Sequence, residues 1–312
     1  MLSVVVPVRD EEPSLVPLLG ELRAVLDQTG EEWEVIVVDD GSADGSFATL
    51  TRLHAEQEAI RVVRLRRNFG KAVALAAGFE QARGDTVLTI DGDGQDDPAE
   101  IPRLLAKLEE GFDVVTGWKG RRQDPLSRRL LSRVFNGVTS RVSGVRLHDM
   151  NCGLKAMRAE VAHGLTLYGE LHRFIPVLAH AEGYRVGELP VNHRVRRHGR
   201  SRYGAERYIR GFLDLLTVSF MGRYRHRPLH LFGGLGLVLG LAGFVVLVYL
   251  TALKVAGQAI GHRPLLILGV LLVVVGLQFF SLGLVGELVT SHHQERERDR
   301  QRGDPRVDEI LL

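Results

Sequence analysis

The chain has 312 residues, 45% of them hydrophobic, so it can bury a sizeable core in one large or two modest domains and is not disordered by default. Its 40 Lys and Arg nearly balance its 38 Asp and Glu, so the net charge points neither to nucleic acid nor to an acidic partner. The single cysteine, Cys152, excludes an internal disulfide framework and, with no motif around it, reads as a small buried residue.

Met1 to Val8 lacks the basic start of a signal peptide and runs straight into a strand pattern. Strands are predicted at 2–8 ("LSVVVPV"), 33–40 ("WEVIVVDD"), 61–65 ("RVVRL") and 85–91 ("DTVLTID"), with helices near 14–27, 44–58, 70–82 and 98–109. That βαβ series implies an α/β domain with a mostly parallel sheet and helices on both faces. In such sheets ligands bind beyond the carboxyl ends of the strands.

Polar clusters stand at those ends. The first predicted strand runs into Pro7, Arg9, Asp10 and Glu11, the second into Asp39, Asp40, Gly41 and Ser42, and the fourth into "LTIDGDGQDDP" with Asp91, Asp93 and Gln95. Helix capping explains any one cluster but not three along one sheet edge. A calcium loop starting at Asp91 fails, because its sixth position is Asp96 and its twelfth Pro102. A P-loop ending in Gly70 and Lys71 needs glycine where Leu65 stands, and "PVRDEEPS" has no glycine for a dinucleotide fingerprint. Two carboxylates at i and i+2 beyond a strand can instead hold one hard divalent cation that bridges to substrate phosphates. Asp96 and Asp97, just before Pro98, read as the N-terminal cap of the next helix.

Two basic runs supply the opposite charge. Residues 119–133 hold Lys119, Arg121, Arg122, Arg128, Arg129 and Arg133 against Asp124, and residues 193–210 hold seven arginines against Glu206. Beside a membrane such runs suit anionic headgroups or phosphates. The membrane is implied by the last third: Leu231–Leu253 and Pro264–Gly286 are each 23 residues without Lys or Arg. Each spans roughly 34 Å as a helix, against a hydrocarbon core of about 30 Å. Arg223, Arg225 and Arg227 before the first span and Arg296, Arg298, Arg300 and Arg302 after the second place both ends in the cytoplasm. Gly236 and Gly240 form a small-xxx-small pair, and Glu287 is expected to snorkel at the cytoplasmic end.

The stretches "VVVPVRDEE", "VIVVDDGSADGS", "RNFGKAVALAAGF", "LTIDGDGQDDP", "MNCGLKAMRAEV" and "HRFIPVLAHAEGYRVGELPVNHRVRRHGRSRYG", in that order, resemble a family 2 glycosyltransferase of the polyprenyl-phosphate branch that includes dolichol-phosphate mannose synthases. The resemblance implies a GT-A nucleotide-diphospho-sugar fold followed by two transmembrane helices, and an inverting transfer dependent on Mg²⁺ or Mn²⁺. By the same resemblance Pro7, Glu11, Asp39, Asp40 and Gly41 shape the nucleotide-sugar site together with Asp91 and Arg196. Asp91, Asp93 and Gln95 stand as the metal group. Arg128 or Arg129, with Ser132, holds the lipid phosphate, and Arg196, Ser201 and Arg202 close over the phosphates. Asp93, Arg128, Ser132 and Asp149 are the catalytic candidates, Asp149 being either a base or an orienting group. The implied partners are a nucleotide-sugar, a polyprenyl phosphate and membrane lipids, without nucleic acid; a homo-oligomer is left open.

The domain plan that follows is a cytoplasmic catalytic domain at 1–207 and a juxtamembrane amphipathic segment at 208–230. Two spans follow within 231–290 (231–253 and 264–288), then a charged tail at 291–312, making a multi-pass protein of the cytoplasmic membrane. A processive polysaccharide synthase of the same fold is the rival, opposed by the missing "QxxRW"-type motif; a non-catalytic sugar-nucleotide sensor is opposed by the intact acidic cluster.

Overall fold

Strand β1 (Leu2–Val8) is a run of β-branched residues whose side chains divide by parity between two cores. Val4, Val6 and Val8 pack on one face, against Leu15, Leu18 and Leu22 of helix α1 (Glu12–Leu26). Val5 packs on the other, with Leu75 and Phe79 of α3 (Lys71–Gln81). β2 (Trp33–Asp39) repeats the division, Val35 and Val37 to one side and Ile36 and Val38 to the other. Both faces are covered, so the middles of these strands, Val4–Val6 and Val35–Val38, are apolar rather than alternating with polar residues.

This computed structural model describes residues 1–119, 144, 145, 147–194, 228–259 and 264–301. The described chain forms two units, Met1–Gly222 and Arg223–Leu312. In the first, α2 (Ser46–Glu56), β3 (Ile60–Arg64), β4 (Thr86–Thr89), α4 (Ile101–Glu109) and β5 (Val114–Lys119) follow the βαβ pattern. After them come β6 (Lys155–Arg158), α5 (Ala159–Gly164), α6 (Ile175–Ala181) and β7 (Val186–Val191). The predicted elements all form, within a few residues at their ends; the helix expected from 98 opens as a 3₁₀ turn, Pro98–Glu100, before α4.

The sheet order is β3-β2-β1-β4-β6-β5-β7. β1, β2, β3 and β4 run parallel, as do β5 and β7. β6 is antiparallel to both its neighbours, β4 and β5. This inserted strand, not anticipated from the sequence, has a direct consequence: Lys155 is paired with Thr89 of β4 and with Thr116 of β5. The segment leading into it, Cys152–Leu154, is thereby carried past the end of β4, where Thr89 Oγ1 donates to the Gly153 carbonyl at 2.6 Å.

In the second unit, α7 (Pro228–Val255) and α8 (Pro264–Gln301) contain two stretches long and apolar enough to cross a membrane, Leu229–Val255 and Pro264–Val289. Both cover the predicted spans. Small residues let the two backbones touch: a Cβ on Gly276 would stand 2.6 Å from Gly240 N and 2.7 Å from Gly236 O. Glu287 does more than snorkel, since its Oε2 accepts a hydrogen bond from Leu229 N at the start of α7, at 3.3 Å. All but the last three residues of the expected amphipathic segment, and half of the charged tail, 302–312, lie outside the described residues.

Candidate active site

The site is built where β4 ends. Beyond Ile90 the chain turns through "DGDGQDDP", and Asp93 Oδ1 accepts Gln95 N at 3.1 Å, an Asx turn that shapes the loop. Ser14 of α1 donates to the Gly92 carbonyl at 2.9 Å, tying the loop to the first helix. Gly153 packs so closely that a Cβ there would lie 2.5 Å from Asp91 Oδ1 and 2.6 Å from Asp96 Oδ2. No side chain fits at 153 without displacing these carboxylates.

Lys71 meets Asp91 from the opposite element, Nζ to Oδ1 at 2.5 Å. It is the first residue of α3, and the turn before it is fixed by Asp40. The two carboxylate oxygens of Asp40 accept Phe69 N at 2.7 Å and Gly70 N at 2.9 Å. Gly41 sits at φ +65° with Arg67 backbone atoms in the space a Cβ would need, so this turn and the end of β2 interlock. Burial works to raise the Asp91 pKa, but the Lys71 ammonium, with Lys119 and Lys155 behind it, reverses that and holds the carboxyl well below its usual range.

Behind the pair lies a cavity of about 10 Å³, lined by Lys71, Asp91, Asn151, Lys155 and His172 among others. That is room for about one water molecule. Lys155 is only 3% exposed and donates to the Cys152 carbonyl. Burial, with Lys71 adding repulsion, moves its pKa down. Burial and the nearby cations push His172 down to about 2, so its imidazole is neutral, and its Nδ1 is buried with no hydrogen-bond partner among the described residues. Cys152 is buried as expected; burial, reinforced by Asp96, pushes its thiol up to about 12, which leaves it an inert thiol.

The other predicted residues are distributed around this centre. Asp39 is completely buried, its Oδ1 accepting Ser42 N at 2.9 Å and its Oδ2 lying 3.7 Å from Arg64 Nε. Pro7 is half-buried near the end of β1, and Glu11 precedes α1 with its N–H on Ser46 Oγ at 3.1 Å. Asp10, at φ +53°, accepts Ala43 N at 2.7 Å and so links the ends of the first two strands. Asp149 is buried, accepts Asn151 N at 3.1 Å, and exerts its charge on Lys119 and Lys155. Gln95 shares backbone and side-chain hydrogen bonds with Arg194, at 2.7 and 3.5 Å. Arg128, Arg129, Ser132, Arg196, Ser201 and Arg202 lie outside the described residues.

One expectation is corrected. Asp97 caps the turn, accepting Ala99 N, but Asp96 does not share that role. Asp96 is 2% exposed, with Lys119 Nζ at 3.7 Å and His193 Nδ1 at 3.4 Å from Oδ1. Alternation turns it inward while its neighbour faces the backbone N–H groups. Lys71, Lys155 and His172 are site residues that no sequence motif marks with a role. All three lie within the motif stretches of the family resemblance, and Lys71 has a further signal, because a cation in the first turn of a helix opposes the helix dipole and so calls for another reason.

The mostly parallel seven-stranded sheet, with helices on both faces, is a GT-A type fold. The family model for glycosyl transferase family 2 matches residues 3–165. Among curated proteins the chain is 42% identical to dodecaprenyl-phosphate galacturonate synthase of Rhizobium johnstonii, over 92% of this chain and 87% of that one. It is 39% identical to undecaprenyl-phosphate 4-deoxy-4-formamido-L-arabinose transferase of Edwardsiella ictaluri, over 92% and 88%. Among solved structures, mannosyl-3-phosphoglycerate synthase from Rubrobacter xylanophilus superposes with a TM-score of 0.57 at 17% identity, covering 72% of this chain and 74% of that one. Glucosyl-3-phosphoglycerate synthase from Mycobacterium tuberculosis, in complex with Mn²⁺ and UDP-glucose, gives 0.53 at 21%, covering 70% and 78%. The chain belongs to glycosyl transferase family 2 and is a glycosyltransferase.

The strand end fits a divalent ion. Asp91 and Asp93 are hard oxygen donors, a lysine ammonium already stands at Asp91 Oδ1, and Gly153 adds no side chain of its own against that carboxylate. Among the described residues no three His, Cys, Asp or Glu side chains gather to enclose a metal. Two carboxylates of this kind suit an ion that keeps positions for water and phosphate oxygens.

Proposed function

We propose that this glycosyltransferase moves a sugar from a UDP- or GDP-linked donor to the phosphate of a polyprenyl lipid at the cytoplasmic membrane face, with inversion at the anomeric carbon. The observation that carries this reading is the Asp91–Lys71 strand end, in a chain aligned over nine-tenths of its length with two relatives named for polyprenyl-phosphate sugar transfer.

A phosphate monoester has a second pKa near 6, so the acceptor oxygen is already ionised and attacks the anomeric carbon without a strong base. The bond from that carbon to the donor's diphosphate breaks, and its electron pair leaves on the phosphate oxygen. Asp91, Asp93 and Gln95 would hold Mg²⁺ or Mn²⁺, which supplies charge neutralisation on the departing diphosphate. Asp39, Pro7 and Glu11 surround the nucleoside, and Asp40 and Gly41 keep the adjoining turn in shape. Because the nucleophile needs no deprotonation, Asp149 serves to orient the buried lysines. Arg128 or Arg129, Ser132, Arg196, Ser201 and Arg202 bind the lipid phosphate and the closing side of the donor.

The arrangement follows as a catalytic domain at 1–207, a membrane-surface segment at 208–230, two spans and a cytoplasmic tail, with arginines at both flanks holding the ends inside. The test is transfer from a panel of UDP- and GDP-sugars to undecaprenyl phosphate by the full-length protein with Mn²⁺. Lipid-linked sugar from one donor is the expected result. No product from any donor, with folding intact, sinks the reading.

A further inference from the structure

We infer that Lys71 is a built-in cation that holds the metal position of Asp91 until the donor arrives, so that metal loading and diphosphate binding are coupled through one side chain. The inference rests on the metal-dependent reading above and goes beyond it in assigning the apo state of the site. The Lys71 ammonium lies 2.5 Å from Asp91 Oδ1, the oxygen that would bind a divalent ion. Such an ion binds carboxylate oxygen at roughly 2.0–2.1 Å for Mg²⁺, and an ammonium left at the same oxygen would be repelled at contact distance. Loading therefore requires Lys71 to leave Asp91.

Its placement is built. Lys71 opens α3, where a helix start favours anions, yet it is aimed at Asp91 by a turn whose Phe69 and Gly70 N–H groups are both gripped by Asp40. Gly41 locks the same turn against the Arg67 backbone. The other cation of the cavity, Lys155, is committed to the Cys152 carbonyl, and His172 is neutral, so Lys71 is the group in position to exchange. A diphosphate arriving with the ion supplies the anion that Lys71 loses, at a helix N-terminus already suited to phosphate.

The test uses the full-length protein in detergent and Mn²⁺ alone, with free Mn²⁺ read by its paramagnetic resonance signal. Lys71→Met is expected to lower the Kd for Mn²⁺ by about tenfold relative to wild type, the effect of removing one adjacent like charge, whereas Lys71→Arg keeps the wild-type value. Addition of UDP should tighten Mn²⁺ binding in wild type more than in Lys71→Met. Lys71→Gln serves as the second neutral variant, and thermal melts confirm folding of each. Neutral variants that fold and bind Mn²⁺ no tighter than wild type overturn the inference while leaving the metal assignment standing. Absence of Mn²⁺ binding in wild type and variants alike overturns both.

Discussion

Glu34 and Asp91 are carboxylates of one sheet, at opposite ends of its parallel strands, and their surroundings differ in kind. Glu34, near the start of β2, is 3% exposed and fully engaged: Ser3 Oγ and Arg83 N donate to one oxygen at 2.7 and 2.8 Å, and Arg61 donates to the other at 2.8 Å. Asp91, past the end of β4, is half-buried, meets a lysine that comes from another helix start, and borders a polar cavity. A closed network stabilises; an open one, with charge and space left over, is where chemistry can be done.

The comparison breaks first at the open end. Asp93→Ala is expected to lower sugar transfer on the order of 10³-fold, with the melting temperature little changed. Undiminished turnover in a purified-protein assay would remove Asp93 from the site. At the closed end the ranking reverses: Glu34→Ala should cost about 3 kcal/mol of stability in urea unfolding, by leaving Ser3, Arg61 and the Arg83 N–H without their acceptor.

A smaller effect separates the two by pH. Burial works to raise the Glu34 pKa, but the Ser3 and Arg61 hydrogen bonds outweigh it and the net shift is down from 4.5. A depressed carboxyl stabilises fully above its unfolded pKa and loses that contribution as pH falls through its folded value. The stability gap between wild type and Glu34→Gln should therefore be constant near neutrality and shrink below about pH 4.5. The smallest expected change is at Cys152, whose buried thiol should react with a thiol reagent at least about 10²-fold more slowly than free cysteine until the protein is unfolded.

Much of this was legible in advance because it is local. The parity of Val4, Val5 and Val6, the acidic ends of β1, β2 and β4, and the charge-free runs of α7 and α8 are properties of short windows. Asp96 and Asp97 show the limit. Adjacent and chemically identical, they divide into an inward acid facing Lys119 and His193 and a capping acid on Ala99 N, a choice made by distant residues.

What the sequence by itself determined is the class: a βαβ sheet with carboxylates at its carboxyl edge, a family motif series, and two apolar helices. What only the tertiary structure decided is the company those carboxylates keep. The antiparallel β6, inserted between β4 and β5, carries Gly153 and Lys155 to Asp91, and the Asp40-held turn delivers Lys71 to the same oxygen. The Lys71–Asp91 pair joins residues 20 positions apart, and the Thr89–Gly153 hydrogen bond that seats this segment joins residues 64 apart. Periodicity and hydropathy report on neighbours along the chain, so contacts made by strand order and loop closure leave no mark in them.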